Sequence, residues 1–151
     1  MAAAPDLNES FTRSLATVSR QWTRHVDLQF RELGLSQARW RVLFELSRRQ
    51  DVTQIELAHS LGIEGATLVR LLDRLEADGL VERQPCEEDR RAKKLHLTDG
   101  TKPLIDKMRK IAAASRAELL ADVCPDDLRT ATRVLGQIEA RLELLRSDQN
   151  G

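Results

Sequence analysis

At 151 residues the chain has room for one compact domain with helical extensions, and 41% hydrophobic against 32% charged residues excludes a disordered polyion. The 24 Lys+Arg are balanced by 24 Asp+Glu, so affinity for a polyanion has to come from a local cluster and not from net charge. No apolar run approaches the ~20 residues that span a bilayer. The stretch Met1-Ala2-Ala3-Ala4-Pro5-Asp6 lacks the basic and apolar parts of a signal peptide. Cys86 and Cys124 form no disulfide framework, and His25, His59 and His96 are too scattered for zinc. The expectation is a cytoplasmic protein without metal or cofactor. Aromatic residues make up 3%, so its core is built mainly of Leu, Val, Ile and Ala.

Along the chain, Asp6 and Glu9 have the spacing of a capping box. Leu7, Phe11, Leu15, Val18, Trp22, Val26, Phe30 and Leu33 follow at steps of three and four, a single helical stripe ending at Gly34. Ser36 starts a second helix through Trp40, Leu43, Phe44 and Leu46, which stops in the polar stretch from Arg48 to Asp51. Thr53 and Glu56 form a second capping-box signature ahead of Leu57, Ala58 and Leu61. The small residue Ala58, Gly62 four positions on, then Leu68 and Leu71 fit a helix-turn-helix. Its second helix runs from about Gly65 to Asp78, with Leu68, Leu71, Leu72 and Leu75 inward and Gly79 at its end. Two further stripes follow. The first is Leu104, Ile105, Met108, Ile111 and Leu119; the second, beyond the break at Cys124-Pro125-Asp126, is Leu128, Leu135, Ile138, Leu142 and Leu145.

Between the helix pair and these last stripes lies the local cluster that charge balance demands. Leu80-Val81 and Lys94-Leu95-His96-Leu97 flank a polar loop as two antiparallel strands would. Arg90, Arg91, Lys93 and Lys94 put four cations into five positions near its tip. A basic β-ribbon beside a helix-turn-helix predicts a winged-helix reader of duplex DNA. Gly65, Ala66, Thr67 and Arg70 occupy the first turns of the second helix, with Arg74 one turn further, where such a helix enters the major groove. Ala66 would meet a thymine methyl, Thr67 a phosphate or base edge, and Arg70 would fork onto guanine O6 and N7. Arg90 and Arg91 would probe the narrow, negative minor groove. Lys93 and Lys94 would lie along phosphate, while Asp89 braces the loop or one of its arginines through a charge-assisted hydrogen bond.

The stretch from Gly62 through Arg70 to Leu80-Val81-Glu82-Arg83, followed by Asp89-Arg90-Arg91-Ala92-Lys93-Lys94 and Leu97-Thr98, resembles the MarR family of bacterial regulators and its D-x-R wing signature. Within that family the SlyA branch is the nearest resemblance, running over nearly the whole chain and strongest between Ser36 and Ile105. The resemblance implies a mainly α fold: a winged helix-turn-helix with a small β-wing and interlocking N- and C-terminal dimerisation helices. It divides the chain into an N-terminal dimerisation helix (1–35), a DNA-binding lobe (36–100) and C-terminal dimerisation helices (101–151). It further implies an obligate homodimer on a pseudo-palindromic operator, with half-sites roughly 34–36 Å apart. Three narrow apolar stripes outside the central lobe, more than one small core requires, agree with that. The Pro-Ser pair common at the helix tip in the family is Ala66-Thr67 here, which bears on the operator sequence rather than on DNA binding.

The resemblance also implies a small aromatic carboxylate effector such as salicylate, with Arg20, Trp22 and Trp40 at the matching positions. Both indoles also lie on apolar stripes, where core packing is the commoner role. The family's peroxide sensors carry a reactive cysteine on the first helix, and this chain has none there. Two rival readings stand beside the regulator: a winged helix used for protein–protein contact, and a redox response through Cys86 at the edge of the wing loop. No nucleophile–base pair, paired catalytic carboxylates or phosphate loop points to an enzyme. The expected action is that of a repressor or counter-silencer at promoter DNA on the nucleoid.

Overall fold

The computed structural model describes residues 6–49, 51–86 and 92–149. The elements run α1 (Leu7–Arg31), α2 (Gln37–Arg48), β1 (Val52–Thr53), α3 (Gln54–Leu61), α4 (Gly65–Ala77), β2 (Val81–Pro85), β3 (Lys93–Leu97), a single 3-10 turn (Asp99–Thr101), α5 (Lys102–Leu119) and α6 (Pro125–Gln149). The chain falls into two units, up to Ala113 and from Ala114 onward, with the division inside α5. Among the described residues, no helix is long and apolar enough to cross a membrane.

The helix boundaries follow from local chemistry. Ser36 Oγ accepts the backbone N–H of Arg39 and caps α2. Thr53 caps α3 in a full capping box: its hydroxyl accepts the N–H of Glu56, whose carboxylate accepts the N–H of Thr53 in return at 2.8 Å. That backbone bond, then the Thr53 hydroxyl at 2.9 Å, hold the Glu56 carboxyl below its ordinary pKa of 4.5. Asp6 occupies the N-cap position of α1 without a side-chain cap bond; Glu9 instead pairs with Arg13 one turn on. After α1, Gly34 takes φ +74 and the N–H of Leu35 reaches back to the Phe30 carbonyl at 3.3 Å.

The first unit has one core. From α1 it takes Val26 and Phe30, from α2 Val42, Leu43 and Leu46, and from α3 and α4 Leu57, Leu61, Leu68, Leu72 and Leu75. The sheet adds Val52, Val81 and Leu95, and α5 adds Ile105, Met108 and Ala112. Phe30 is fully buried, edge-on to Trp40 at 5.2 Å and stacked on Phe44 at 6.1 Å between centroids. Next to this cluster the buried Asp27 accepts the Trp40 indole N–H at 3.2 Å and pairs with Arg31 at 3.0 Å. The α1 stripe is therefore divided: its last turns join the core, while Leu7, Phe11 and Val18 stay exposed.

The sheet order is β1-β3-β2, antiparallel throughout, with Val52 opposite Leu95 and Val81 opposite Leu97. The two-residue β1 adds a strand to the expected ribbon. It follows a corner where Asp51 takes φ +57, a conformation Asp tolerates better than most residues. On the outer face, His96 Nε2 lies 3.6 Å from the Asp51 carboxylate. In the second unit, α6 begins at Pro125, the N–H of Leu128 donating to the Cys124 carbonyl at 3.0 Å. Leu128, Leu135, Leu142 and Leu145 are exposed along α6.

Truncating Phe30 removes a buried ring from the joint between α1 and α2. Phe30→Ala should destabilise the fold by about 3–5 kcal/mol in urea unfolding. A loss below about 1 kcal/mol would show that the α1 end is not part of the cooperative core.

Candidate nucleic-acid interface

Gly62 at φ +63 turns the chain between α3 and α4, with the Ile63 N–H donating to the Ala58 carbonyl at 3.1 Å. Helix α4 then buries Leu68, Leu72 and Leu75. At 100° per residue that face leaves Thr67, Arg70 and Arg74 on the opposite side. Gly65, Ala66, Thr67, Arg70 and Arg74 are all exposed. Ala66, Thr67, Arg70 and Arg74 thus share one open face, and Gly65 is exposed at the tip of the helix.

The hairpin root is equally well defined. Register pairs Val81 with Leu97, Glu82 with His96, Arg83 with Leu95, Gln84 with Lys94 and Pro85 with Lys93. Lys93 is exposed, Lys94 is half-buried, and the two point to opposite faces of β3. Asp89, Arg90 and Arg91 lie outside the described residues. Cys86 is buried, and its N–H donates to the Ala92 carbonyl at 3.0 Å, closing the ladder.

Two sets of polar contacts fasten this hairpin to α4 and to the turn that follows it. At its outer end, Arg83 bonds to Asp73 and Glu76 of α4, each at 2.7 Å. At its inner end, the Thr98 hydroxyl donates to the Gly79 carbonyl at 2.6 Å and the fully buried Thr101 hydroxyl donates to the Leu80 carbonyl at 2.7 Å. Gly79 itself takes φ +70, which lets the chain leave α4 and enter β2 directly. Arg39 of α2 pairs with Asp78 at the end of the same helix.

The expected effector residues each have their own contacts. The exposed Arg20 donates to Thr17 Oγ1 at 3.3 Å. Trp22 is half-buried and stacks on His25 at 5.9 Å, and the Trp40 N–H is taken by Asp27. Two positions apart on α1, Arg20 and Trp22 face about 160° from each other.

A model of the MarR family matches residues 33–92, from the turn after α1 to the residue before β3. The transcriptional regulator PA3341 is 46% identical, the match covering 88% of this chain and 98% of that one with a TM-score of 0.83. The chain belongs to the MarR family. A MarR transcriptional regulator from Methanosarcina mazei Go1 is 26% identical over 90% of this chain and 99% of that one, with a TM-score of 0.77. The transcriptional regulator SlyA matches 87% of this chain and 93% of its own at 17% identity and a TM-score of 0.76, a likeness of fold alone. The winged-helix architecture expected from the sequence is the one observed, and it is the fold of a MarR-family transcription regulator.

Within that fold, the residues that sequence reasoning missed are Arg83 and Thr101, which hold the reading elements rather than form them. A signal for Arg83 was present. It shares the sheet face of Val81, two positions on, so its charge had to be met indoors, and Asp73 and Glu76 are acids one turn apart on the helix next to it. Thr101 has no such signal, because nothing local marks which carbonyl it will reach. Thr101→Val keeps the shape and removes the shorter of two bonds to the Leu80 carbonyl, the Thr98 N–H remaining at 3.1 Å. Urea unfolding should show a loss of about 0.5–1.5 kcal/mol; a change near zero would mean that the Thr98 N–H alone satisfies the carbonyl.

Proposed function

We propose that this MarR-family chain is a homodimeric, sequence-specific regulator that reads duplex DNA with α4 in the major groove and its wing in the minor groove. The observation that carries the reading is the single open face of α4. Ala66, Thr67, Arg70 and Arg74 share it, next to a hairpin whose root carries Lys93 and Lys94. Gly65 lets the backbone approach closely at the helix tip. On this reading Arg70 forks onto guanine, Arg90 and Arg91 enter the minor groove, Asp89 braces them, and Lys93 and Lys94 lie along phosphate.

The dimer is supported by apolar surface that a single chain leaves uncovered. Leu7 is 80%, Val18 56% and Leu142 56% exposed, with Phe11, Leu128, Leu135 and Leu145 in the same condition. Segments 1–35 and 101–151 supply these residues, while 36–100 supplies the reading lobe. Such a regulator acts in the cytoplasm on the nucleoid, as a repressor or counter-silencer that occupies promoter DNA. Control by a small aromatic carboxylate such as salicylate through Arg20, Trp22 and Trp40, and placement in the SlyA branch, rest on sequence resemblance. The exposed Arg20 guanidinium is the one geometric support for the effector.

The test is selection of duplex DNA from a random pool, followed by salt titration on the selected sequence. Arg70→Ala should relax the motif at one position per half-site, at a cost of ~1–3 kcal/mol. Arg91→Ala should weaken binding to most sequences and flatten the salt slope by about one unit. An unchanged motif and slope would remove these residues from the interface. Failure of the unaltered protein to select any duplex would favour the protein–protein reading instead.

A further inference from the structure

Arginine 83 sits where a strand ordinarily places an apolar residue. It follows Val81 on the inward face of β2, lies opposite Leu95 in the ladder, and its side chain is 11% exposed. A guanidinium in such a place needs partners for its donors. It has them on two helices. Nε donates to Gln54 Oε1 of α3 at 2.9 Å and Nη1 to Glu76 Oε2 of α4 at 2.7 Å. Nη2 donates to Asp73 Oδ1 at 2.7 Å and to the Val69 carbonyl at 3.3 Å. The Arg83 backbone N–H also donates to Glu76 Oε1, at 3.2 Å. One residue of the hairpin root is thus tied to three consecutive turns of α4 and to the first turn of α3.

From this network, and resting on the DNA-binding reading above, we infer that Arg83 is a positioning residue that sets the angle between recognition helix and wing. It also draws the Asp73 and Glu76 carboxylates away from the phosphates that α4 would face. Both consequences come from the same geometry. Asp73 and Glu76 stand beside Arg70 and Arg74 on a helix that must approach a polyanion, and unpaired they would oppose it. Paired to Arg83, they hold the strand in a direction fixed by a planar fork of donors, which a lysine ammonium cannot reproduce. Lys93, opposite Pro85, lies only two residues outward along the ladder, roughly 7 Å, so its position follows the root directly. The helix and the root of the wing then meet DNA at a set offset.

A residue that serves stability alone would, when replaced, lower affinity uniformly and leave the motif intact. A positioning residue changes the motif. The experiment uses full-length protein carrying Arg83→Met, Arg83→Lys, or Asp73→Asn with Glu76→Gln. Each is checked by circular dichroism at the assay temperature and then put through the random-pool selection. The Arg83→Met motif should keep the bases read by α4 and lose information at the flanking bases read by the wing, with Arg83→Lys restoring little of it. On the duplex selected by unaltered protein, the costs of Arg70→Ala and Lys93→Ala should be non-additive by at least about threefold, and additive once Arg83 is Met. An unchanged flanking motif with unchanged coupling would overturn the inference, as would loss of folding in all three variants, which would assign the network to stability. If the unaltered protein selects no duplex, it is the DNA-binding reading that fails, and the Arg83 variants are not what shows it.

Discussion

A cation on the inside of a small sheet is the constraint around which the reading lobe is arranged. Burying the Arg83 guanidinium is unfavourable unless each donor finds an acceptor, and two carboxylates, an amide and a backbone carbonyl are gathered to meet it. Such a cluster adds little net stability compared with an apolar residue of the same size. What it adds is direction. Asp73, Glu76 and Val69 are fixed by the helix, Gln54 by the first turn of α3, and a planar group satisfied by all of them has very few orientations available.

Other interactions prepare the frame into which that cluster fits. The Thr53–Glu56 capping box starts α3 at the residue where β1 ends, so the Gln54 side chain is held beside the sheet. Thr98 and Thr101 secure the carbonyls of Gly79 and Leu80 at the other end of the hairpin. On the far side of the core, Phe30, Trp40 and Phe44 join α1 to α2, and Asp27 satisfies the indole that would otherwise be buried without a partner. The apolar face of α4 packs into this frame, which leaves the row of Thr67, Arg70 and Arg74 outward, with Asp73 and Glu76 beside it.

Much of this was legible in the sequence wherever cause and effect are close together in the chain. Ser36, Thr53 with Glu56, and the glycines at 34, 62 and 79 announce helix ends because caps and positive φ are local matters. The three-four spacing of leucines located each helix, and alternation located the wing strands. Three features were not legible, for three different reasons. Strand β1 is two residues long, too short for alternation to show. The stripe of α1 is continuous in sequence, and only tertiary packing decides that Val26 and Phe30 enter the core while Leu7 and Val18 stay out. The partners of Arg83 lie on α3 and α4, and a salt bridge between distant segments leaves only its charges in the sequence, not its pairing. The expected roles of Gly65, Ala66, Thr67, Arg70 and Arg74 placed them on one helix, and the structure adds that all are exposed and that the last four share a face.

The central claim is that two copies of this chain read one duplex, each through a helix and a wing held at a set offset. Hydroxyl-radical footprinting of a selected duplex at stoichiometric protein tests it most directly. The account predicts two protected regions related by a dyad, centred about one helical turn apart, each with a flanking minor-groove protection. A single protected region, or protection spread evenly along the duplex, would contradict it.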